Sequence, residues 1–183
     1  VRSRRQRQMC IRDRIDPADR RRHIGYLPQD IALFYGTLRD NLNLEGAALS
    51  DEELFEALDG VGLGAWVRSH PLGLDMPIQG NASLSGGQRQ AVGLVRVLVQ
   101  DPPIVLLDEP TSSFDQTSEK QVVDYLQQWL TGRTLILVTH KKVMLSLVER
   151  AVVMRQGRVI MDGALDQVVQ DNVVSCLLYT SDA

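Results

Sequence analysis

The sequence has no run of apolar residues long enough to cross a lipid bilayer. Its longest run without glycine is Ile31 to Tyr35, whereas a membrane-spanning helix needs about 20 such residues. Any membrane role must therefore come through a partner. Cysteine is also scarce: Cys10 and Cys176 lie near opposite ends of the chain and cannot form a disulfide framework or a four-ligand zinc site by themselves. This favours a reducing, cytoplasmic compartment.

Basic residues are scarce after the first 22 positions of the 183-residue chain. Residues 1–22 hold nine arginines and three aspartates, and the rest of the chain has 11 basic and 20 acidic residues, a net charge of −9. Nucleic-acid-binding proteins concentrate lysine and arginine on a folded face, so we expect no nucleic-acid partner. With 44% apolar and 23% charged residues, the composition is that of an ordinary globular domain.

The two ends of the chain differ from its body. Residues 1–14 show neither helical nor strand periodicity, and the composition changes abruptly near Asp16. Residues 172–183 follow a predicted closing helix and have no turn pattern of their own. We predict that the arm 1–14 and the tail 172–183 are non-native or disordered.

Two short apolar runs, Ile104 to Leu107 and Leu135 to Val138, predict strands buried on both faces. Apolar residues at helical spacing lie between them and predict a helix. Because a strand, helix, strand crossover makes the two strands parallel, both should end at the same edge of the sheet. The polar residues that this brings together are Asp108, Glu109 and His140.

The rest of the body predicts an α/β fold with a helical insertion. Ile24 to Leu27 reads as a strand. A hairpin is predicted around Gln156-Gly157, and Asp162-Gly163 is predicted to turn into a last short helix. We assign 15–36 and 101–171 to an α/β core with a parallel sheet, and 37–100 to an inserted helical subdomain.

The segment Ser85-Gly86-Gly87-Gln88 predicts a helix start with an unusual first turn. Serine and glutamine three residues apart form a capping box. Two glycines in a first turn cost roughly 1 kcal/mol each if they count as interior, and the capping box does not require them. They permit close backbone approach to an anion such as phosphate. On these residues alone, an ordinary helix start remains the alternative.

Two adjacent carboxylates, Asp108 and Glu109, end a predicted buried strand. Neighbouring residues there point to different sides, so one carboxylate can hold hydrated Mg²⁺ while the other faces a water molecule. Phosphoryl transfer needs this division of roles. Taken alone, a solvated acidic strand end is the simpler interpretation, and Gln29, Asp115 and His140 are equally ambiguous one by one.

Five motifs, taken in order, resemble those of the ATP-binding cassette (ABC) family. They are YLPQ (Tyr26 to Gln29), LSGGQRQ (Leu84 to Gln90), IVLLDEP (Ile104 to Pro110), SSFD (Ser112 to Asp115) and TH (Thr139, His140). Their spacing matches as well, with 56 residues from Gln29 to Ser85 and 20 from Gln88 to Asp108. The resemblance covers about residues 16–170 and implies a P-loop NTPase core that uses ATP and Mg²⁺.

The resemblance also implies a role for each motif residue. Glu109 would be the general base, His140 would contact the γ-phosphate, and Gln29 would sense the metal and the attacking water. Asp108 would hold Mg²⁺ through water, together with Gln29. The signature residues would bind the γ-phosphate of ATP held by a second cassette in a homodimer, and Asp115 would couple the two sites. These signature residues are Ser85, Gly86, Gly87 and Gln88.

The P-loop pattern G-x-x-x-x-G-K-[ST] of the family is missing. None of the three lysines, Lys120, Lys141 and Lys142, follows a glycine. We therefore expect the chain to be the C-terminal part of a longer protein with an incomplete core, and to be inactive by itself. A smaller departure is Gly93, which stands where the family favours alanine.

The segment Ile31 to Leu44 resembles the exporter type of the family, in which apolar residues after the glutamine contact a transmembrane domain. HPLGLDM (His70 to Met76) and GRT (Gly132 to Thr134) are most similar to bacterial type I secretion exporters. The resemblance implies a transmembrane domain in the same full-length chain. The cassette would then lie on the cytoplasmic face of the inner or plasma membrane.

Two alternatives remain. One is a soluble family member that acts on nucleic acid or ribosomes, although 56 residues between Gln29 and Ser85 leave no room for the long coiled-coil arm of chromosome-organising members. The other is an inactive fragment that only dimerises.

Overall fold

The computed structural model describes residues 15–44, 46 and 48–169. The predicted arm 1–14 and tail 172–183 lie outside the described residues. The helices are α1 (Pro17–His23), α2 (Leu38–Leu42), α3 (Asp51–Gly60), α4 (Gly64–Ser69), α5 (Gly86–Gln100) and α6 (Gln116–Trp129). The strands are β1 (Ile24–Leu27), β2 (Tyr35–Thr37), β3 (Pro77–Gln79), β4 (Ile104–Asp108), β5 (Thr134–Val138), β6 (Arg150–Arg155) and β7 (Arg158–Ala164).

A parallel three-stranded sheet, in the order β1-β4-β5, carries the site. All three strands lie within a residue of the ranges predicted from the apolar runs, and the parallel crossover through α6 is confirmed. In register, Tyr26 pairs with Leu106, which pairs with Ile136, and Asp108 pairs with Val138. The carboxyl ends of β4 and β5 therefore meet at one edge, as the mixed α/β prediction requires.

The two faces of this sheet differ in burial, so the prediction that its strands are buried on both faces is wrong for the described residues. Side chains at alternate positions, such as Leu27, Val105 and Leu107, are buried. Those on the opposite face include Tyr26 and Ile136, which are 56% and 54% exposed. Because strand side chains alternate between faces, Asp108 lies on the open face, in line with Leu106.

Helix α5 packs against β1 through two glycines. A Cβ atom on Gly93 of α5 would lie 2.7 Å from Leu27 Cδ1, and one on Gly25 of β1 would lie 2.9 Å from Val97 Cγ1. Both distances are too short for non-bonded carbon atoms, so an alanine at either position would push helix and strand apart. This contact explains glycine at position 93.

The segment predicted as a helical subdomain is not helical throughout. Strand β3 lies between α4 and α5 and forms a short antiparallel pair with β2, which precedes α2; in this pair Gly36 is opposite Ile78. Helices α2, α3 and α5 all begin with a capping box, and the one predicted at Ser85 and Gln88 is confirmed. The boundaries assigned to the core and the subdomain stay predictions.

The chain divides into two compact units, with the boundary in the sequence between His140 and Lys141. The second unit contains the antiparallel hairpin β6–β7, whose turn is at the predicted Gln156-Gly157. The predicted turn at Asp162-Gly163 is wrong, because β7 continues to Ala164. Asp162 pairs with Val152 across the hairpin and forms a salt bridge with Arg150. The helical residues 165–169 follow directly.

Candidate functional site

The residues that follow β4 and β5 form the centre of the site. Asp108 is the last residue of β4, and Glu109 follows it. Glu109 Oε1 lies 3.6 Å from His140 Nε2, with the Glu109 side chain only 13% exposed and the His140 side chain 96% exposed. The expected meeting of these side chains at one sheet edge is therefore found. A buried carboxylate here lies beside an imidazole that is open to a ligand.

The Glu109 carboxylate is held by its backbone and not by hydrogen bonds of its own. Oε1 is buried, and no described residue donates a hydrogen bond to it. The backbone of Glu109 has φ = +49°, in the left-handed region that costs a non-glycine residue roughly 1–2 kcal/mol. Strain of this kind persists only where the surroundings fix it, and it concentrates at functional sites.

The predicted anion-binding turn lies at the start of α5, next to the loop that follows β4. The Ser85 side chain accepts a hydrogen bond from the backbone N–H of Gln88, and the Gln88 side chain accepts one from the N–H of Ser85. A Cβ on Gly87 would lie 3.0 Å from the Ser113 carbonyl oxygen. Glycine therefore allows this turn to lie against the loop while its first N–H groups stay available to an anion.

Gln90 is a residue of the site that sequence reasoning missed. Its side chain is 4% exposed. Its amide donates to the Glu109 carbonyl oxygen at 2.6 Å and to Ser112 Oγ at 2.9 Å, and its oxygen accepts from the Ser113 N–H at 2.7 Å. The only sequence signal was its place within LSGGQRQ, where it looks like a polar residue on a helix surface. Gln90 joins α5 to the loop that carries Glu109.

Gln29 lies exposed in the loop after β1, and a partly buried network of hydrogen bonds fixes the chain that follows it. Arg96 of α5 donates to the carbonyl oxygens of Asn41 at 2.6 Å and Ala32 at 2.9 Å. Asn41, fully buried, in turn accepts from the Phe34 N–H at 2.8 Å. Burial lowers the pKa of the Arg96 guanidinium. Neither Asn41 nor Arg96 was identified from sequence.

Asp115 caps helix α6. Its carboxylate accepts hydrogen bonds from the N–H groups of Thr117 and Ser118, both at 2.9 Å. The hydrogen bonds from Ser118 hold the pKa of Asp115 below its usual value. The helix cap predicted at Asp115 is confirmed. Asp115 lies in the exposed loop before α6 and is therefore accessible to a partner.

The described residues contain no cluster of three or more His, Cys, Asp and Glu side chains placed to hold a metal ion. A site for Mg²⁺ does not need one, since this ion keeps several of its waters and binds through one or two carboxylates plus substrate phosphates. Asp108, on the open face of the sheet, fits that pattern.

A cleft of about 980 Å³ opens between α1, β1 and α5. Its walls include Phe34 and Leu44, which are 54% and 53% exposed, together with Arg96. Phe34 and Leu44 belong to the exporter-like segment Ile31 to Leu44, and their contact with a transmembrane domain stays a prediction. Within the described part of the chain, no helix combines the length and apolar character needed to span a membrane.

The chain belongs to the ABC transporter family, whose sequence model matches residues 5–112. It is 37% identical over 170 residues to the ATP-dependent lipid A-core flippase of Neisseria meningitidis serogroup A, a match that covers 90% of this chain and 27% of the relative. It is 38% identical over 149 residues to the glutathione/L-cysteine transport system ATP-binding/permease protein CydC of Escherichia coli K12, covering 81% of this chain and 26% of that protein.

The fold is similar to that of a solved family member. The structure of a bacterial Atm1-family ABC exporter with ATP bound matches with a TM-score of 0.78 and 28% sequence identity, over 91% of this chain and 29% of the other. The P-loop NTPase fold implied by the motifs is thereby confirmed. The chain spans about a quarter of the length of the curated relatives it matches.

Proposed function

We propose that this chain is part of the ATP-hydrolysing cassette that powers an ABC exporter. The observation that carries the proposal is the Glu109 carboxylate, buried, without a hydrogen-bond donor among the described residues, and 3.6 Å from an exposed histidine. A general base needs a carboxylate that is not already engaged by hydrogen-bond donors, and 13% of the Glu109 side chain stays exposed to solvent. His140 is open on its other side and can donate a hydrogen bond to a terminal phosphate.

Asp108, with Gln29, is proposed to hold Mg²⁺ through water. The ion would neutralise charge on the phosphates of ATP. Asp108 leaves the strand towards the open face, and Glu109 turns away from that direction through its left-handed backbone. The two adjacent carboxylates are therefore free to take the separate roles that the family resemblance implies.

The signature turn is proposed to act on ATP held by a second copy of the cassette. Ser85, Gly86, Gly87 and Gln88 present the N-terminus of the 15-residue helix α5, which favours a phosphate group. Asp115 lies in the loop that this turn touches, and we assign it to coupling of the two sites in a homodimer.

A transmembrane domain of the same protein is the proposed partner of the cleft beside α5. Exposed apolar side chains such as Phe34 and Leu44 are suited to receive a helix from that domain. This would place the cassette on the cytoplasmic face of the membrane. The narrower assignment to type I secretion, made from HPLGLDM and GRT, stays a prediction, since the relatives named above carry other descriptions.

A chimera tests the activity. The matched region of this chain replaces the corresponding segment of the Neisseria meningitidis relative, and phosphate release from Mg-ATP is measured. We expect hydrolysis, and we expect Glu109→Gln to slow it by roughly 10²- to 10⁴-fold with ATP binding kept, because only the base is lost. Glu52→Gln, an exposed glutamate on α3, is the matched control. Normal turnover in the Glu109 variant would remove Glu109 from the mechanism.

The arrangement across a dimer has its own test. A chimera with Ser85→Arg is mixed with one whose P-loop lysine, supplied by the relative, is changed. If the signature acts on the partner's ATP, the mixed dimer regains one intact composite site and measurable hydrolysis. Two dead sites in the mixture would contradict the arrangement.

The alternative functions predict other results. A folded chimera that dimerises without hydrolysing ATP would support the inactive-fragment reading. The relatives found lend no support to a soluble member acting on nucleic acid or ribosomes, and stimulation of hydrolysis by RNA would be its sign. For the 183-residue chain alone, which has no P-loop lysine, we expect weak Mg-ATP binding at most.

A further inference from the structure

We propose that Gln90 is a positioning residue that fixes the Glu109 carboxylate and links it to the signature turn. The proposal rests on the proposed function of Glu109 as general base. Gln90 touches neither carboxylate oxygen of Glu109 and acts only through the backbone of the loop after β4.

Hydrogen bonds fix the backbone of Glu109 on both sides. Its N–H donates to the Val138 carbonyl oxygen of β5 at 2.9 Å, and its carbonyl oxygen accepts from the Gln90 side chain at 2.6 Å and, within the loop, from the Ser112 N–H at 3.2 Å. Gln90 is the side chain that helps to fix one of the two peptide groups of a residue whose φ is +49°. A left-handed conformation is costly for glutamate. We therefore expect the Glu109 backbone to relax when the hydrogen bond from Gln90 is lost.

No hydrogen bond from a described residue fixes the Glu109 side chain at Oε1, which is buried. Its place beside His140 therefore depends on where the backbone puts the Cα–Cβ bond. A small rotation of that peptide moves the carboxylate away from His140.

Gln90 lies close to the signature turn in its helix. It lies five residues after Ser85, in the same helix as the predicted anion-binding turn, and that turn lies against Ser113. The Gln90 oxygen accepts from the Ser113 N–H at 2.7 Å. Any displacement of α5 when an anion binds at its start is therefore passed to Ser113 and to Glu109 by the same side chain.

Two substitutions separate the hydrogen bond that Gln90 accepts from Ser113 from those that it donates to Glu109 and Ser112. Gln90→Met keeps the length and volume of the side chain and removes all three hydrogen bonds. Gln90→Glu keeps an acceptor for the Ser113 N–H and loses the amide donors to the Glu109 carbonyl and Ser112. Gln121→Met is the matched control, since Gln121 of α6 also donates to a backbone carbonyl, that of Asp59 at 2.8 Å.

The test uses NMR on the full 183-residue chain. We expect Gln90→Met to speed hydrogen exchange at the Ser113 amide by about tenfold or more and to weaken the nuclear Overhauser contact between the Glu109 and His140 side chains. Gln90→Glu should protect the Ser113 amide and still lose the contact with His140. Gln121→Met should change neither. An unaltered Glu109–His140 contact in Gln90→Met would overturn the proposal.

The chimera supplies a kinetic arm. Gln90→Met should lower kcat by roughly 10- to 100-fold, as expected for a base displaced by about 1 Å, with little change in KM. Added to Glu109→Gln it should cost nothing further, because both changes remove the same function; additive losses would show that Gln90 acts elsewhere. If the chimera with native Gln90 hydrolyses no ATP, the proposed function fails, and the NMR result still decides the role of Gln90.

Discussion

At the scale of single residues, Glu109 combines backbone strain with a buried and unpaired oxygen. Replacing it with glycine removes both costs, so we expect Glu109→Gly to raise the free energy of unfolding by about 1 kcal/mol. Urea titration followed by the fluorescence of Trp66 and Trp129, both in the first unit, measures this. Asp101→Gly is the control, because Asp101 has the same kind of backbone (φ = +50°) at the end of α5. A loss of stability in Glu109→Gly would contradict the strain argument.

Arg96 is partly buried, and its partners include the backbone carbonyl oxygens of Asn41 and Ala32. We expect Arg96→Lys to lower the free energy of unfolding by about 1–3 kcal/mol, because an ammonium group cannot reach both carbonyls and the amide oxygen of Asn41 and is more strongly hydrated. The same urea titration measures it. Arg68→Lys should have a clearly smaller effect, since Arg68 pairs with Asp59 at the surface, where solvent screens the ion pair. Equal effects at the two positions would be evidence against the network.

Sequence reasoning found the site residues that lie at strand ends and missed those buried within a helix. Glu109 and His140 could be predicted because parallel strands must end at the same edge. Gln90 and Arg96 could not be predicted, because a polar residue within a helix is normally assigned to the exposed face. Whether such a residue is buried depends on which loop packs against that face of the helix. Their hydrogen bonds join residues 19 to 64 positions apart, a separation that no local pattern encodes.

At the scale of elements, the hairpin β6–β7 turns on two residues with positive φ, Gln156 (+50°) and Gly157 (+73°). Asparagine tolerates this backbone better than glutamine. We expect Gln156→Asn to stabilise the hairpin by up to about 1 kcal/mol, seen as slower hydrogen exchange in β6 and β7. Gly157→Ala should have the opposite effect, because an added Cβ there contacts nothing within 4 Å and its cost is purely conformational. Faster exchange in Gln156→Asn would exclude this turn geometry.

Element types were predictable where a single signal dominates. Apolar runs located β1, β4 and β5, and Asp115 marked the start of α6. The pair β2–β3 has three residues in each strand, too few for a periodic pattern, and it pairs residues about 40 positions apart. Asp162-Gly163 looks like a turn by composition, but both residues pair with β6, Asp162 with Val152 and Gly163 with Ala151, so this segment is part of a strand.

Across the molecule, low pH should weaken the N-terminal capping of several helices together. Hydrogen bonds from backbone N–H groups, those of Thr37, Ser50 and Ser118 in turn, lower the pKa values of Asp40, Glu53 and Asp115. Carboxyls with depressed folded-state pKa values stabilise the fold above their ordinary pKa values, near 3.8 for Asp and 4.5 for Glu. That stability is lost as the pH falls through the folded-state values.

We therefore expect the urea midpoint to stay level from pH 7 to about pH 5 and to fall below about pH 4. The triple variant Asp40→Asn, Glu53→Gln, Asp115→Asn should flatten this dependence, whereas Asp124→Asn, an exposed aspartate in the interior of α6, should leave it unaltered. A decline already between pH 7 and pH 5 would instead indicate that histidines control the stability.

The open face of the parallel sheet should determine the solubility of this chain and its binding of hydrophobic dyes. Tyr26, Ile136 and Val138 are each more than half exposed, and the first two lie in one row across the three strands. Such a contiguous apolar patch attracts dyes, column matrices and chaperones. We expect bright fluorescence with anilinonaphthalene sulfonate at neutral pH. Ile136→Thr, which keeps strand propensity, should lower the fluorescence of the dye and raise the soluble yield. The exposed Ile136 side chain would then limit the protein concentration that can be reached.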